Sequence, residues 1–169
     1  TPSQKKAYLI NAYNAFTIKL IIENYPTESI RDIGGFFTNP FATKFAKIGD
    51  KEYSLDDIEK GMLLKMGDPR VHFAVNCASE SCPKLLNEAY VASKLDQQLE
   101  ASAKYFINSK ENKLSETKVE LSKIFKWYAS DFEKDGNTVI DFINSYSKIK
   151  VNPKASISHL DYSWKLNEK

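Results

Sequence analysis

Phe45-Ala-Lys-Ile-Gly49-Asp50-Lys51-Glu-Tyr-Ser54-Leu-Asp-Asp57-Ile-Glu59 sets two local patterns back to back. Phe45 to Ile48 and Lys51 to Ser54 flank Gly49-Asp50, and a glycine-containing turn between two short strand-like runs predicts a β-hairpin. Ser54 then stands three residues before Asp57, an acidic variant of the capping box, which predicts a helix running to about Met66 and closed by Asp68-Pro69. Hairpins and helices are interspersed along the chain without repeating βαβ units. That mixture predicts an α+β fold, with a central buried helix and further helices packed around a small antiparallel sheet.

Upstream, residues 3–25 are helical. At about 100° per residue Ala7, Ile18 and Ile22 share one stripe, while Leu9, Phe16 and Leu20 form another on the far side, so this helix is expected to be central. Asn11 and Asn14 fall inside the first stripe, and their amides must find partners: either a neighbouring loop's backbone or a substrate. The stretch from Gly34-Gly35 to Pro40 reads as a loop able to move. Downstream, residues 71–77 form a short apolar run predicted as a core strand, with His72 near its start and Cys77 at its end. Pro83 suits the first position of a new helix, with Cys82 as its N-cap. Residues 91–108 repeat Val91, Leu95, Leu99, Ala103 and Phe106 at helical spacing, and residues 113–121 suggest a second hairpin. Helical segments at 124–132 and 139–146 and an extended tail at 157–166 complete the pattern.

A chain of 169 residues fits one domain spanning 1–169 and buries a core without metals or disulfides. Its charge of +2, from 24 basic and 22 acidic residues spread along the chain, gives no reason to expect nucleic acid or an anionic membrane as partner. No run approaches the roughly 20 apolar residues that span a bilayer, so a soluble domain with no transmembrane segment is expected. Thr-Pro-Ser-Gln-Lys-Lys leads straight into the first helix without an initiator methionine or signal peptide, as if trimmed at a domain edge.

The chemistry converges on one segment. His72, Cys77 and Cys82 account for one of two histidines and both cysteines. An imidazole beside a thiol can take its proton and leave a thiolate nucleophile. Glu59 projects from the apolar stripe of Leu55, Ile58, Met62 and Met66, where a carboxylate is either buried or lining a cleft. These residues offer a nucleophile, a base in His72 and an orienting group in Glu59. Alternation along a strand points His72 and Cys77 to opposite faces, whereas Cys82 at a helix N-cap would gain from the helix dipole, so the residues alone favour Cys82. A disulfide and a zinc site are alternatives, though Cys-x4-Cys is wider than usual zinc spacing and His159 is distant, so neither metal nor cofactor is expected. His159 reads as a structural or surface residue. The aromatics of Phe125-Lys-Trp-Tyr128 and Tyr162-Ser-Trp164 read as core.

Taken together, Ile10-Asn-Ala-Tyr-Asn-Ala15, Tyr53-Ser-Leu-Asp-Asp-Ile-Glu59, the stretch from Asp68 through His72, Cys77 and Cys82 to Pro83, Asn87-Glu-Ala-Tyr90 and Phe125-Lys-Trp-Tyr128 resemble the domain of unknown function 547 (DUF547) family. The resemblance implies a bacterial protein, often exported or lipid-anchored, with relatives in plants and no established activity. It places the family's hallmark polar residues on Asn11, Asn14, Glu59, His72 and Cys77, with Cys82 where serine also occurs, and so shifts the choice of nucleophile to Cys77. Lys60 stands where many members have a histidine, and the ending around Asp161-Tyr-Ser-Trp fits the family's only loosely. A glutamate, histidine and cysteine on a helix and small sheet is also similar to the papain and transglutaminase kind of site.

Two functional classes follow. One is a cysteine-dependent hydrolase or acyltransferase, peptidase-like in style, in which Cys77 is activated by His72, Glu59 fixes the imidazole, and Asn11 and Asn14 contact an amide, peptide or thiol-containing substrate. The other is a non-catalytic binding or interaction domain whose polar cluster is structural.

Overall fold

The computed structural model describes residues 1–35 and 37–168. Phe36, within the loop expected at 34–40, therefore lies outside the described residues. The fold is α+β.

Helix α1 (Pro2–Glu23) begins with a reciprocal cap: the Thr1 hydroxyl accepts from the Gln4 N–H, the Gln4 side chain reaches back, and Pro2 occupies the first turn. Its buried residues are Ala7, Leu9, Ile10, Tyr13, Asn14, Thr17 and Leu20. On a helical wheel these make one continuous arc of roughly 160°. The expected two-sided burial is corrected accordingly: Ile18 and Ile22 are 44% and 69% exposed, because they lie just beyond one edge of that arc. Lys6 and Arg70 both bind Asp68, at 2.8 and 3.0 Å, and fasten this helix to the turn that carries His72.

Strands β1 (Ala46–Ile48) and β2 (Lys51–Tyr53) pair as the expected hairpin, with Gly49 at φ 62° in the turn. Ser54 and Asp57 cap each other's backbone N–H groups and start α2 (Leu55–Ile58). The helix expected to reach Met66 changes winding twice. It opens into a π turn at Glu59–Leu63, tightens to a 3₁₀ turn at Leu64–Met66, and stops at Gly67, whose φ of 74° is left-handed. The wide turn inserts one residue into the repeat, so the fully buried core position passes from the expected Met62 to Leu63. Glu59 lies where the winding changes.

Residues 71–77 are not a strand. Asp68 accepts from the Arg70 N–H, Pro69 supplies the helical φ, and Pro69–Phe73 winds as a 3₁₀ turn. Residues 71–76 are all buried, so the run has no alternating face, and an apolar run of this length does not by itself distinguish strand from buried helix. Beyond it the backbone is irregular and depends on side chains for its hydrogen bonds. Asn14 donates to the Ala74 carbonyl at 2.9 Å and accepts from the Asn76 N–H at 2.8 Å. Asn11 brackets Tyr90 in the same way, at 2.8 and 2.9 Å. Pro83 does not open a helix, so the expected N-cap role of Cys82 is withdrawn; the next helix is α3 (Leu95–Ile107), starting four residues later than the periodicity from Val91 suggested.

In the second half, β3 (Lys113–Leu114) and β4 (Lys118–Leu121) pair antiparallel, as expected. Helices α4 (Ile124–Trp127), α5 (Ala129–Phe132) and α6 (Val139–Asn144) then carry the chain across to β5 (Ser156–His159), which lies parallel to β4. A parallel neighbour needs such a crossover, and it turns the expected antiparallel sheet into a mixed one. Phe73 stacks at 5.1 Å on Phe106 and at 5.8 Å on Phe132, joining the 3₁₀ turn to the apolar cluster of this half. Finally the tail is laced across the cysteine segment: Glu80 N–H donates to the Lys165 carbonyl at 2.9 Å and Asn167 N–H to the Ala78 carbonyl at 3.0 Å. No helix among the described residues is long and apolar enough to cross a membrane.

The clamp at Asn14 generates a stability prediction. Asn14→Ala strands a buried N–H and a buried carbonyl and should cost about 2–4 kcal/mol in urea unfolding, with unchanged m-value. A loss below about 0.5 kcal/mol, the size expected of an ordinary surface change, would show that the backbone finds other partners.

Candidate functional site

The Asn76 side chain shapes the segment after the clamp. Its amide donates to the Pro83 carbonyl and its oxygen accepts from the Ala78 N–H, both at 2.8 Å. Ala78 takes φ 60°, a left-handed conformation costing a non-glycine residue roughly 1–2 kcal/mol. The kink brings Ser79 back beneath Cys77. Cys77 Sγ lies 3.2 Å from the Ser79 hydroxyl and 3.3 Å from the Tyr162 hydroxyl, and Ser79 donates to Tyr162 at 3.0 Å. The Cys77 N–H also donates to Cys82 Sγ at 2.8 Å.

These contacts separate the two thiols. The hydrogen bond from Cys82 lowers the Cys77 pKa from 9.0 to about 7, and the Ser79 and Tyr162 hydroxyls reinforce it against the opposing effect of burial. Burial pushes the Cys82 thiol well up, and the charge on Cys77 pushes it further. With no helix behind it, Cys82 has lost the dipole that favoured it. Cys77 is thus the more acidic sulfur, and its thiolate rests on donors other than an imidazolium.

His72 is held elsewhere in the same neighbourhood. It is 3% exposed, with its ring 4.1 Å from that of Tyr128 and 5.3 Å from that of Phe132, and Nε2 lies 2.9 Å from Asp131 Oδ2. An ionised carboxylate only accepts, so Nε2 carries the hydrogen and Nδ1 keeps the lone pair. Burial lowers the His72 pKa, outweighing the pull of Asp131, so the ring is neutral at neutral pH. The orienting carboxylate of His72 is therefore Asp131 and not the expected Glu59.

Glu59 has different partners. Tyr128 donates to its Oε1 at 2.9 Å, and Tyr13 donates a second phenolic hydrogen bond. Burial raises its pKa despite both donors. The phenols respond in turn: burial and the Glu59 charge push Tyr13 and Tyr128 upward.

Glu59, His72, Cys77 and Cys82 line one cavity of about 200 Å³ together with Tyr13, Tyr128, Tyr162, Trp127 and Trp164. Trp127, 48% exposed, packs at 4.9 Å on Tyr162 and 6.0 Å on Trp164, and the three form a wall of the cavity; Phe125 is buried and Tyr128, Tyr162 and Trp164 pack against the apolar clusters as expected, so the correction concerns Trp127. Asn11 and Asn14 are absent from this lining, and their amides are engaged by backbone. Among the described residues no group of three or more His, Cys, Asp and Glu is arranged to hold a metal ion. His159 is exposed on β5. Asp131 and Tyr162 carried no signal of their own in the sequence, since each meets the site only through long-range packing, and Ser79, although two residues from Cys77, meets it through the left-handed kink at Ala78. Tyr13 and Tyr128 sat inside the quoted motifs but read as helix and core.

A family model described as "Protein of unknown function, DUF547" matches residues 1–107. That segment carries Glu59, His72 and both cysteines, while Tyr128, Asp131, Tyr162 and Trp164 follow it. No curated protein and no solved structure matches the chain.

The geometry at Glu59 predicts an asymmetry between two substitutions. Glu59→Gln keeps an acceptor and removes a buried charge, so at pH 7 its stability should stay within about 1 kcal/mol of the parent; Glu59→Ala leaves two phenols without an acceptor and should cost about 2–4 kcal/mol. Because the folded pKa of Glu59 is raised, its contribution to stability is full below the ordinary value of 4.5 and is lost as pH rises through the folded pKa. The Gln variant should therefore gain on the parent as pH climbs from 4.5. Denaturant midpoints across that range measure it. A Gln variant as damaged as the Ala one would mean the charge itself is required.

Proposed function

We propose that this chain, which belongs to the DUF547 family, is a cysteine-dependent hydrolase or acyltransferase that works through an acyl-enzyme on Cys77. The observation that carries this reading is an acid-shifted thiol facing a cavity that His72 also lines. In the first step the Cys77 thiolate attacks a carbonyl carbon, an S–C bond forms, and the bond to the leaving group breaks. In the second, His72 Nδ1 takes a proton from a water or acceptor nucleophile that attacks the thioester, the S–C bond breaks to release the acyl product and return the Cys77 thiolate, and Asp131 stabilises the imidazolium until its proton passes to solvent. The aromatic wall of Trp127, Tyr162 and Trp164 suits an apolar acyl portion.

The nature of the thiolate bears on the substrate. An amine departs only with a proton, and in the papain style an imidazolium beside the sulfur supplies it. Here hydroxyls and a second thiol hold the charge, so esters and thioesters, whose oxygen or sulfur leaves with less assistance, suit the site better than amides or peptides. The rival reading, a binding domain with a structural polar cluster, draws its support from the burial of His72 and Glu59 and from the hydrogen bonds that hold each of them.

Incubation with p-nitrophenyl acetate discriminates between them. A burst of nitrophenolate should leave an acetyl group on Cys77, absent in Cys77→Ser, and His72→Ala should still acylate but release acetate roughly 10²-fold or more slowly. Mass spectrometry of the intact chain reads the adduct. An unmodified Cys77 with no burst would favour the binding domain.

A further inference from the structure

Cys82 is left without a task by acyl transfer, yet its sulfur lies 2.8 Å from the backbone nitrogen of Cys77 and it hydrogen-bonds the Cys77 sulfur. Both are free thiols and both line the cavity. The segment between them is tightly held. Cys82 N–H donates to the Ser79 carbonyl at 3.0 Å, closing a turn, and the Glu80 and Asn167 bonds to the tail keep that turn in place. A disulfide needs its two Cα atoms about 4.4–6.8 Å apart. With Cys82 Sγ 2.8 Å from the Cys77 backbone nitrogen, covalent geometry keeps the two Cα atoms within about 7 Å of one another, close to the span a disulfide bridges.

We propose that Cys77 and Cys82 form a peroxide-reactive pair, in which Cys77 is the site oxidised by hydroperoxides and Cys82 is the thiol that resolves it to a disulfide. The Cys77 thiolate attacks one oxygen of hydrogen peroxide, the O–O bond breaks, and hydroxide leaves and is protonated to water. Sulfur is oxidised to the sulfenic acid as the peroxide is reduced. Cys82 then attacks the sulfenyl sulfur, an S–S bond forms, the S–O bond breaks, and hydroxide leaves with the Cys82 proton as a second water. A dithiol reductant reverses the product. Loss of the nucleophile would switch off acyl transfer reversibly and keep Cys77 from irreversible over-oxidation; that consequence rests on the function proposed above, whereas the oxidation does not.

The test uses the reduced protein, dilute hydrogen peroxide and intact-mass measurement after alkylation. The parent should lose two hydrogens, take up no alkyl group, remain monomeric, and return to two alkylated thiols after dithiothreitol. Cys82→Ser should instead be trapped by dimedone on Cys77 and pass on to sulfinic acid, and Cys77→Ser should stay reduced at the same peroxide dose. A parent chain that accumulates sulfinic acid as fast as Cys82→Ser, or that links only between chains, overturns the proposal. Since no acyl chemistry enters this readout, disulfide formation without acetylation of Cys77 would retire the acyl-enzyme alone, and acetylation without the disulfide would retire the redox pair alone.

Discussion

Two buried asparagine amides hold the site together. Asn14, on the first helix, makes paired hydrogen bonds to the backbone at Ala74 and Asn76, and the Asn76 side chain then binds the backbone at Ala78 and Pro83. A buried segment with neither helical nor sheet bonding leaves its N–H and carbonyl groups to be satisfied by side chains, and an amide, donor at one atom and acceptor at the other, can serve both. The left-handed Ala78, the turn through Ser79 and the approach of Cys82 to Cys77 all depend on that arrangement. The tail that carries Tyr162 docks onto the shape so produced.

Charge in the cavity rests chiefly on neutral donors, although Lys60 also lines it. Glu59 rests on two phenols, Asp131 on a neutral imidazole with the Lys134 ammonium 3.7 Å from its other oxygen, and the Cys77 sulfur on two hydroxyls and a thiol. Neutral donors stabilise an anion less than a matched counter-ion, and burial opposes it, which is why Glu59 titrates high. Cys77 moves the other way because several donors converge on a single, polarisable sulfur. Burial likewise keeps the His72 imidazole uncharged.

Local patterns were legible where local physics decides. The first hairpin, the Ser54–Asp57 cap and the run of Leu95, Leu99, Ala103 and Phe106 were readable because turn chemistry, capping and periodicity act within a few residues. Residues 71–77 were misread because an apolar run is silent about winding once both faces are buried. The π turn at Glu59 is likewise a tertiary product, with nothing in Leu55 to Met66 to announce it. In the site, Glu59, His72 and the cysteines stood out by residue type and clustering. Their partners did not: Asp131 and Tyr162 reach the cavity from 59 and 85 residues away, by folds of the chain that spacing does not encode. The carboxylate bonded to His72 is thus Asp131, whereas Glu59 is bonded to phenols.

The central claim is that the Cys82 thiol and the Ser79 and Tyr162 hydroxyls, and not His72, set the acidity of Cys77. The pH dependence of iodoacetamide labelling at Cys77 tests it most directly. The parent should titrate near 7, well below the ordinary 9.0; Tyr162→Phe should move that midpoint upward, and His72→Ala should leave it in place. A midpoint that ignores Tyr162→Phe but rises in His72→Ala would make the imidazole the activator and contradict the account.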